Sequence, residues 1–197
     1  MANTDQVRMA GLATLIGGLA WIVAALLYLA TPVSADANEV NTLQSILSIV
    51  GILGFLAGLF ALKSSGALGD NSIGRTGLWV AAVGLIAILA AAVLAFVPNL
   101  EVDDMLWPIG GLITLVGFVM VGMATMQTRV LSQWPALPIA IGIAMFLVVA
   151  AYTTLFFLSA DVANWLIIVT TALAGILWAL LGYTLWSWAS RPSTATR

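Results

Sequence analysis

The sequence predicts an all-α polytopic membrane protein, a six-transmembrane-helix bundle with both termini cytoplasmic. Three observations lead there. The 197-residue chain is 62% hydrophobic and only 7% charged, whereas about a quarter of the residues in a soluble domain are charged. Its apolar residues fall into six runs, at about 7–31, 42–62, 76–97, 105–126, 136–159 and 162–188. Each can cross a hydrocarbon core of ~30 Å, which takes roughly 20 helical residues. The charges then divide by side. Arg8, Lys63, Arg75, Arg129, Arg191 and Arg197 lie in the N-terminus, the second and fourth loops and the tail. Asp36, Glu39, Glu101, Asp103, Asp104 and Asp161 lie in the first, third and fifth loops, and only Asp5 and Asp70 share the basic side. Short loops rich in Lys and Arg stay cytoplasmic, which sets the orientation.

The first run opens after Arg8, and Val33-Ser34-Ala35 has the small residues of a signal-peptide cleavage site. Its apolar stretch, Met9 to Ala30, spans about 22 residues, too long for the 7–15 of a signal-peptide core, so an uncleaved anchor is expected. Thr31-Pro32 ends it, because proline cannot continue a helix and restricts the residue before it. Asn41-Thr42 offers a cap to the second run. Ser64-Ser65-Gly66 and Gly69-Asp70-Asn71-Ser72 read as a flexible polar link to the third. Pro98-Asn99 closes the third run, and Pro108 falls in the first turn of the fourth, where a missing N–H costs little. Pro135 and Pro138 mark the start of the fifth. Only about Ala160-Asp161 separates the fifth from the sixth, so those two must be antiparallel neighbours. Six spans use nearly the whole chain, and residues 1–197 read as a single integral membrane domain.

Internal similarity suggests three pseudo-repeated helical hairpins. Arg8-Met9-Ala10-Gly11-Leu12 opens the first span and Arg75-Thr76-Gly77-Leu78 the third. Ala57-Gly58-Leu59 recurs as Val121-Gly122-Met123 and Leu181-Gly182-Tyr183, a period of about 60–65 residues. Packing signals are denser. Gly77, Ala81, Gly84, Ala87, Ala91 and Ala95 recur at steps of 4, 3, 3, 4 and 4, one small helical face that admits a neighbouring backbone, as Gly54-x-x-x-Gly58 does on the second span. Trp79, Trp134, Trp186 and Trp188 mark the basic interface and Trp107 and Trp165 the acidic one. Trp21 and Trp178 fall near mid-span, where an indole N–H wants an acceptor and the ring is expected to pack on a neighbour.

The chemistry is mostly excluded. With no cysteine and no histidine, there is no disulfide, thiol relay or iron–sulfur site, and no imidazole for haem, zinc or general base work. No G-x-S-x-G, G-x-x-x-x-G-K-[ST] or H-E-x-x-H motif occurs. Ionisable residues inside a span would mark an ion or proton path, yet every one here lies at or beyond a span end. Met120, Met123 and Met126 could suit Cu(I), but at this spacing, unsupported by Cys or His, they read as packing. Glu101, Asp103 and Asp104 read as acids tolerated in an exported loop. No basic patch suggests nucleic acid.

One polar group remains. Tyr152, Thr153 and Thr154 on the fifth span and Thr170 and Thr171 on the sixth lie at similar depth, with Trp178 deeper. They are the candidate ligand-binding residues; catalytic residues, metal ligands and cofactors are expected to be none. The expected function is that of a non-enzymatic integral membrane protein, an accessory subunit or helix-packing scaffold of a membrane complex. The alternative is a carrier or binder of a neutral or amphipathic small molecule or lipid through the Thr/Tyr-lined gap between spans five and six. Expected partners are membrane lipids, other membrane-protein subunits or a second copy of the chain. The expected location is a bacterial cytoplasmic membrane.

The orientation has a direct test. Cysteines introduced at Ser34 and Asn99 should label with an impermeant reagent from outside intact cells, and those at Ser72 and Ser132 only after permeabilisation. Labelling at Ser72 from outside reverses the topology.

Overall fold

In a computed structural model, residues 4–30, 42–96, 103–129, 131, 134–153 and 159–190 are described. They form six helices: α1 (Thr4–Leu27), α2 (Thr42–Ser64), α3 (Ser72–Leu94), α4 (Asp103–Thr128), α5 (Leu137–Thr153) and α6 (Ala160–Ala189). Five are long and apolar enough to cross a membrane, and α5, at 17 residues, is shorter. This length and composition suggest an integral membrane protein. The outer part of the fifth expected span, residues 154–158, falls outside the described residues.

Each helix packs on the next in the chain and α6 returns to α1, so the six close a ring in sequence order. The expected contact of α5 with α6 is present. One lighter contact crosses the ring, from α2 to α6. For orientation, the acidic end is where α1, α3 and α5 finish; the basic end is where they begin.

Size, not polarity, sorts the inside from the outside. On α1, Leu12, Ile16, Leu19, Val23 and Leu26 face outward while Gly11, Thr14, Gly17, Gly18 and Ala24 are buried. An apolar exterior gains nothing by hiding from lipid, so helices associate where small residues let backbones meet. Two seams do so along much of their length. Between α1 and α6, a Cβ on Gly11 would stand 2.7 Å from the Trp186 nitrogen, and one on Gly175 2.8 Å from the Gly18 oxygen. Between α3 and α4, a Cβ on Gly84 would stand 2.5 Å from the Thr114 nitrogen and 2.7 Å from the Gly110 oxygen. Within the expected small face of α3, Gly77, Ala81, Gly84 and Ala91 are buried, whereas Ala87 and Ala95 are only half-buried. The face turns slightly, and Leu85 and Ile88 complete it.

The ring has no hollow axis at its middle. Trp21 meets Phe55 edge to face at 5.0 Å, Phe55 stacks on Trp178 at 4.1 Å, and Phe118 meets Trp178 edge to face at 5.1 Å. Aromatic rings from α1, α2, α4 and α6 thus fill the centre. The packing expected of both mid-span tryptophans is observed, with Trp21 and Trp178 at 1% and 0% exposure.

Loop chemistry refines the expected boundaries. The link between α2 and α3 is a packed turn rather than a flexible tether. Gly66 and Gly69 take left-handed φ of 74° and 58°, a region open to glycine at little cost. Ala67 and Leu68 are buried beneath it, and the Thr128 hydroxyl donates to the Ala67 carbonyl at 2.7 Å. Asn71 caps α3 by accepting from the Ile73 N–H at 2.9 Å, and its amide donates to Gln127 at 2.7 Å. This cap starts α3 four residues before its apolar run. At the other terminus, α4 begins at Asp103, so Pro108 lies inside the helix and not in its first turn. The helix bond to the Asp104 carbonyl is lost there.

Replacing Gly84 or Gly18 by alanine should destabilise by about 1–3 kcal/mol, the usual cost of overpacking. Val83→Leu on the exposed face of α3 should leave the melting temperature in mild detergent nearly unchanged. Equal melts for all three variants would remove the seams as the source of stability.

Candidate functional site

One group of polar residues stands on the α6 side of the ring, between its middle and the acidic end; Thr14, Gln44, Thr114 and Thr125 are buried elsewhere, on α1, α2 and α4. Asn164 stands near the start of α6, and its amide donates to the Tyr28 carbonyl just beyond α1 at 3.3 Å. The hydroxyls of Tyr28 and Tyr152 hydrogen-bond to each other, and their rings meet edge to face at 6.5 Å. Trp107, near the start of α4, covers the far side of Tyr152 at 5.6 Å. Tyr28, Ala151, Tyr152, Ile167 and Ile168 pack as one cluster. The ends of α1 and α5 and the start of α4 are thereby tied to α6.

Thr171 follows one helical turn deeper, and Trp178 lies seven residues beyond it. A step of seven returns to the same helix face, about 10 Å further along the axis. Thr171 is 6% exposed and Trp178 fully buried, yet the Thr171 hydroxyl and the Trp178 indole N–H have no hydrogen-bond partner among the described residues.

Comparable groups elsewhere in the bundle are satisfied. The buried hydroxyls of Thr14, Thr114 and Thr125 donate to the carbonyls of Ala10, Gly110 and Gly122 in their own helices at 2.7, 2.7 and 2.9 Å. Trp21, the other central indole, lies 3.3 Å from the Ser48 carbonyl and donates to it. Thr171 forgoes the backbone bond that a helical threonine can make, and Trp178 has its benzo edge against Gly58. Its N–H edge therefore points away from that glycine.

The six residues singled out in the sequence separate accordingly. Tyr152, Thr171 and Trp178 face the interior and share the α6 side of the ring. Thr153 is exposed and bonds back to the Ala150 carbonyl at 2.7 Å. Thr170 is half-buried and bonds back to the Leu166 carbonyl at 2.7 Å. Thr154 lies outside the described residues. Tyr28, Trp107 and Asn164 join the cluster without having been singled out. Their only sequence signal was a polar or aromatic residue at the acidic end of a span, at the depth of Tyr152.

The seam beside these groups is less closely packed than its neighbours. Gly175 and Gly182 of α6 both face α1, and Gly142 of α5 faces Phe118 and Leu115 of α4. Among the described residues, no glycine brings the backbones of α5 and α6 together. Among the described residues no cluster of His, Cys, Asp or Glu could hold a metal. Met120 packs on Gly77, whereas Met123 and Met126 are exposed, so the three thioethers do not converge.

The unpaired hydroxyl sets the sign of a stability effect. Thr171→Val keeps shape and removes an unsatisfied buried group, which relieves about 1–3 kcal/mol. In ligand-stripped protein it should raise the melting temperature. Thr14→Val should lower it, because the Thr14 hydroxyl lies 3.0 Å from the Gly54 carbonyl of α2 as well as bonding its own helix. Such interhelical bonds contribute about 0.6 kcal/mol on average. Thermal unfolding of both variants in one detergent decides it; a lower melt for Thr171→Val means that hydroxyl is satisfied.

Set against known protein families, characterised proteins and solved structures, the chain matches no family model, no curated protein and no solved structure.

Proposed function

We propose that this chain is a non-enzymatic integral protein of a bacterial cytoplasmic membrane, with both termini cytoplasmic, that binds a neutral amphipathic small molecule or lipid beside α6. One observation carries the reading: among the described residues, two buried polar groups on one interior face of α6 lack the partners that equivalent groups elsewhere have. An unmade hydrogen bond costs each about 1–3 kcal/mol. A bound molecule that supplied both bonds would turn that cost into affinity and selectivity. Pockets for small ligands are mostly apolar with a few placed polar groups, which is the character of this interior.

A second reading, the accessory subunit or scaffold, is favoured by the two glycine-lined seams. They make α1–α6 and α3–α4 close pairs whose outer faces are apolar between their polar ends, suited to lie against another membrane protein. We also read the chain as three degenerate hairpins. Their marker glycines have taken different neighbours: Gly58 meets Thr14 and Trp178, Gly122 meets Ile139, and Gly182 meets Leu15.

Purification in nanodiscs followed by native mass spectrometry separates the two readings. The binder reading expects a stoichiometric small molecule or lipid, with Thr171→Val lowering its occupancy. It also expects that substitution to lower the melting temperature of ligand-loaded protein, opposite in sign to its effect on stripped protein. Reproducibly empty protein accompanied by a second polypeptide would replace it with the subunit reading.

A further inference from the structure

Hydrogen-bond counting at the α6 face identifies the chemistry of the molecule that would fit it, an inference that rests on the binding reading above. The Tyr28 and Tyr152 hydroxyls each have one hydrogen, and a single mutual bond uses one of the two. Whichever tyrosine donates, one O–H hydrogen stays uncommitted among the described residues. The Trp178 indole is a donor and nothing else, and it too is uncommitted. Thr171 can donate or accept, and it does neither here. Of these groups the Trp178 N–H, the deepest, can be met only by an acceptor, whereas Thr171 and the tyrosine pair can donate or accept. Carbonyl oxygens of α6 are occupied by its own helix bonds, and that face, which runs Asn164, Ile167, Thr171, Ala174, Trp178, Leu181, carries its one carboxamide at the acidic end and none beside Trp178.

We infer that this face is a site for a lipid-soluble carbonyl compound, one that presents acceptor oxygens to the Trp178 N–H and the Thr171 hydroxyl beneath the Tyr28–Tyr152 pair. The surroundings agree with that chemistry. Ile167, Ala174 and Leu181 provide an apolar wall, and Phe55 and Phe118 close the deep end. No ionisable group other than the tyrosines belongs to the cluster, so a charged head would go unmatched in a poorly solvating interior. The α5–α6 seam, without a glycine contact, is the side from which a molecule dissolved in lipid reaches the face. Two sources share the chemistry, the ester carbonyls of a neutral glycerolipid and the ring carbonyls of a quinone.

The test uses the full chain in nanodiscs of a dialkyl ether phospholipid, so that the membrane supplies no ester carbonyl. Dioleoyl-acetylglycerol, which has ester carbonyls and no free hydroxyl, and a decyl-substituted benzoquinone are titrated separately, with decylbenzene as the oxygen-free control, and the Trp178 indole N–H resonance is followed by NMR. That resonance is assigned by its loss in Trp178→Phe. At least one carbonyl probe should shift it saturably while decylbenzene leaves it in place. The probe that saturates at lower concentration identifies the source. Thr171→Val should weaken that probe by roughly threefold to tenfold, the range of one net hydrogen bond, and Thr171→Ser should retain most of the affinity.

An equal shift with decylbenzene, or equal affinity in Thr171→Val, would overturn the inference, since the donors would then not be reading the oxygen. So would an indole proton that exchanges with water and ignores every probe. A native co-purified molecule that neither carbonyl probe displaces would sink the inference alone and leave the binding reading standing. Protein that is empty as isolated and binds no probe sinks both.

Discussion

Everything in this bundle depends on the close approach of α1 to α6. Gly11 and Gly18 on the first helix meet Gly182, Gly175 and Ala179 on the last, and that contact converts an open row of antiparallel helices into a ring. In a hydrocarbon solvent the hydrophobic effect does not pull helices together, since a leucine facing lipid is as well placed as one facing protein. Packing contact and polar pairing must supply the stabilisation, and both fall off steeply with distance. A side chain as small as a methyl at these positions would run into the opposite backbone. The ring closes because glycine is there.

Closure in turn decides what the centre can hold. With α1 and α6 drawn together, α2 touches α6 across the ring through the Phe55–Trp178 stack, and Phe118 reaches in from α4. The middle is therefore filled by aromatic surface. What remains for chemistry is the side of α6 turned towards the acidic end. There the Thr171 hydroxyl and the Trp178 N–H lack a partner among the described residues. The α1–α6 seam holds the helix that carries Thr171 and Trp178, whereas α5 meets α6 without a glycine contact among the described residues.

The six helices, the antiparallel α5–α6 pair and the packing of Trp21 and Trp178 were all legible in the sequence, because length, loop brevity and mid-span indoles leave few alternatives. The orientation of each helix about its own axis was not. In a soluble helix, polar residues mark the outer face, but here both faces are apolar and that marker is missing. Hence Thr170 and Thr171 looked equivalent, although adjacent positions differ by about 100° around a helix of 3.6 residues per turn. One bonds its own backbone at the half-buried edge and the other sits unpaired inside. The α1–α6 seam was in principle readable. Gly11 and Gly18 share a seven-residue spacing with Gly175 and Gly182, but matching two such faces from distant parts of a chain needs the fold in which they meet. The compact α2–α3 turn was missed for a local reason: Ser, Gly and Asp suggest flexibility, while buried Ala67 and Leu68 and the Thr128 bond hold it down.

The α1–α6 seam also has a consequence for biogenesis. Helices enter the membrane in the order of synthesis, so the glycine face of α1 has only α2 to pack on until the final helix leaves the ribosome. For that interval a strip of nearly bare backbone faces lipid, or whatever insertion factor attends the nascent chain. Ring closure cannot be a local, early event, because its two halves are separated in the chain by four other helices. A chain interrupted before α6 would be left with an unfilled groove along its first helix, and quality control in the membrane has a ready feature there by which to recognise it.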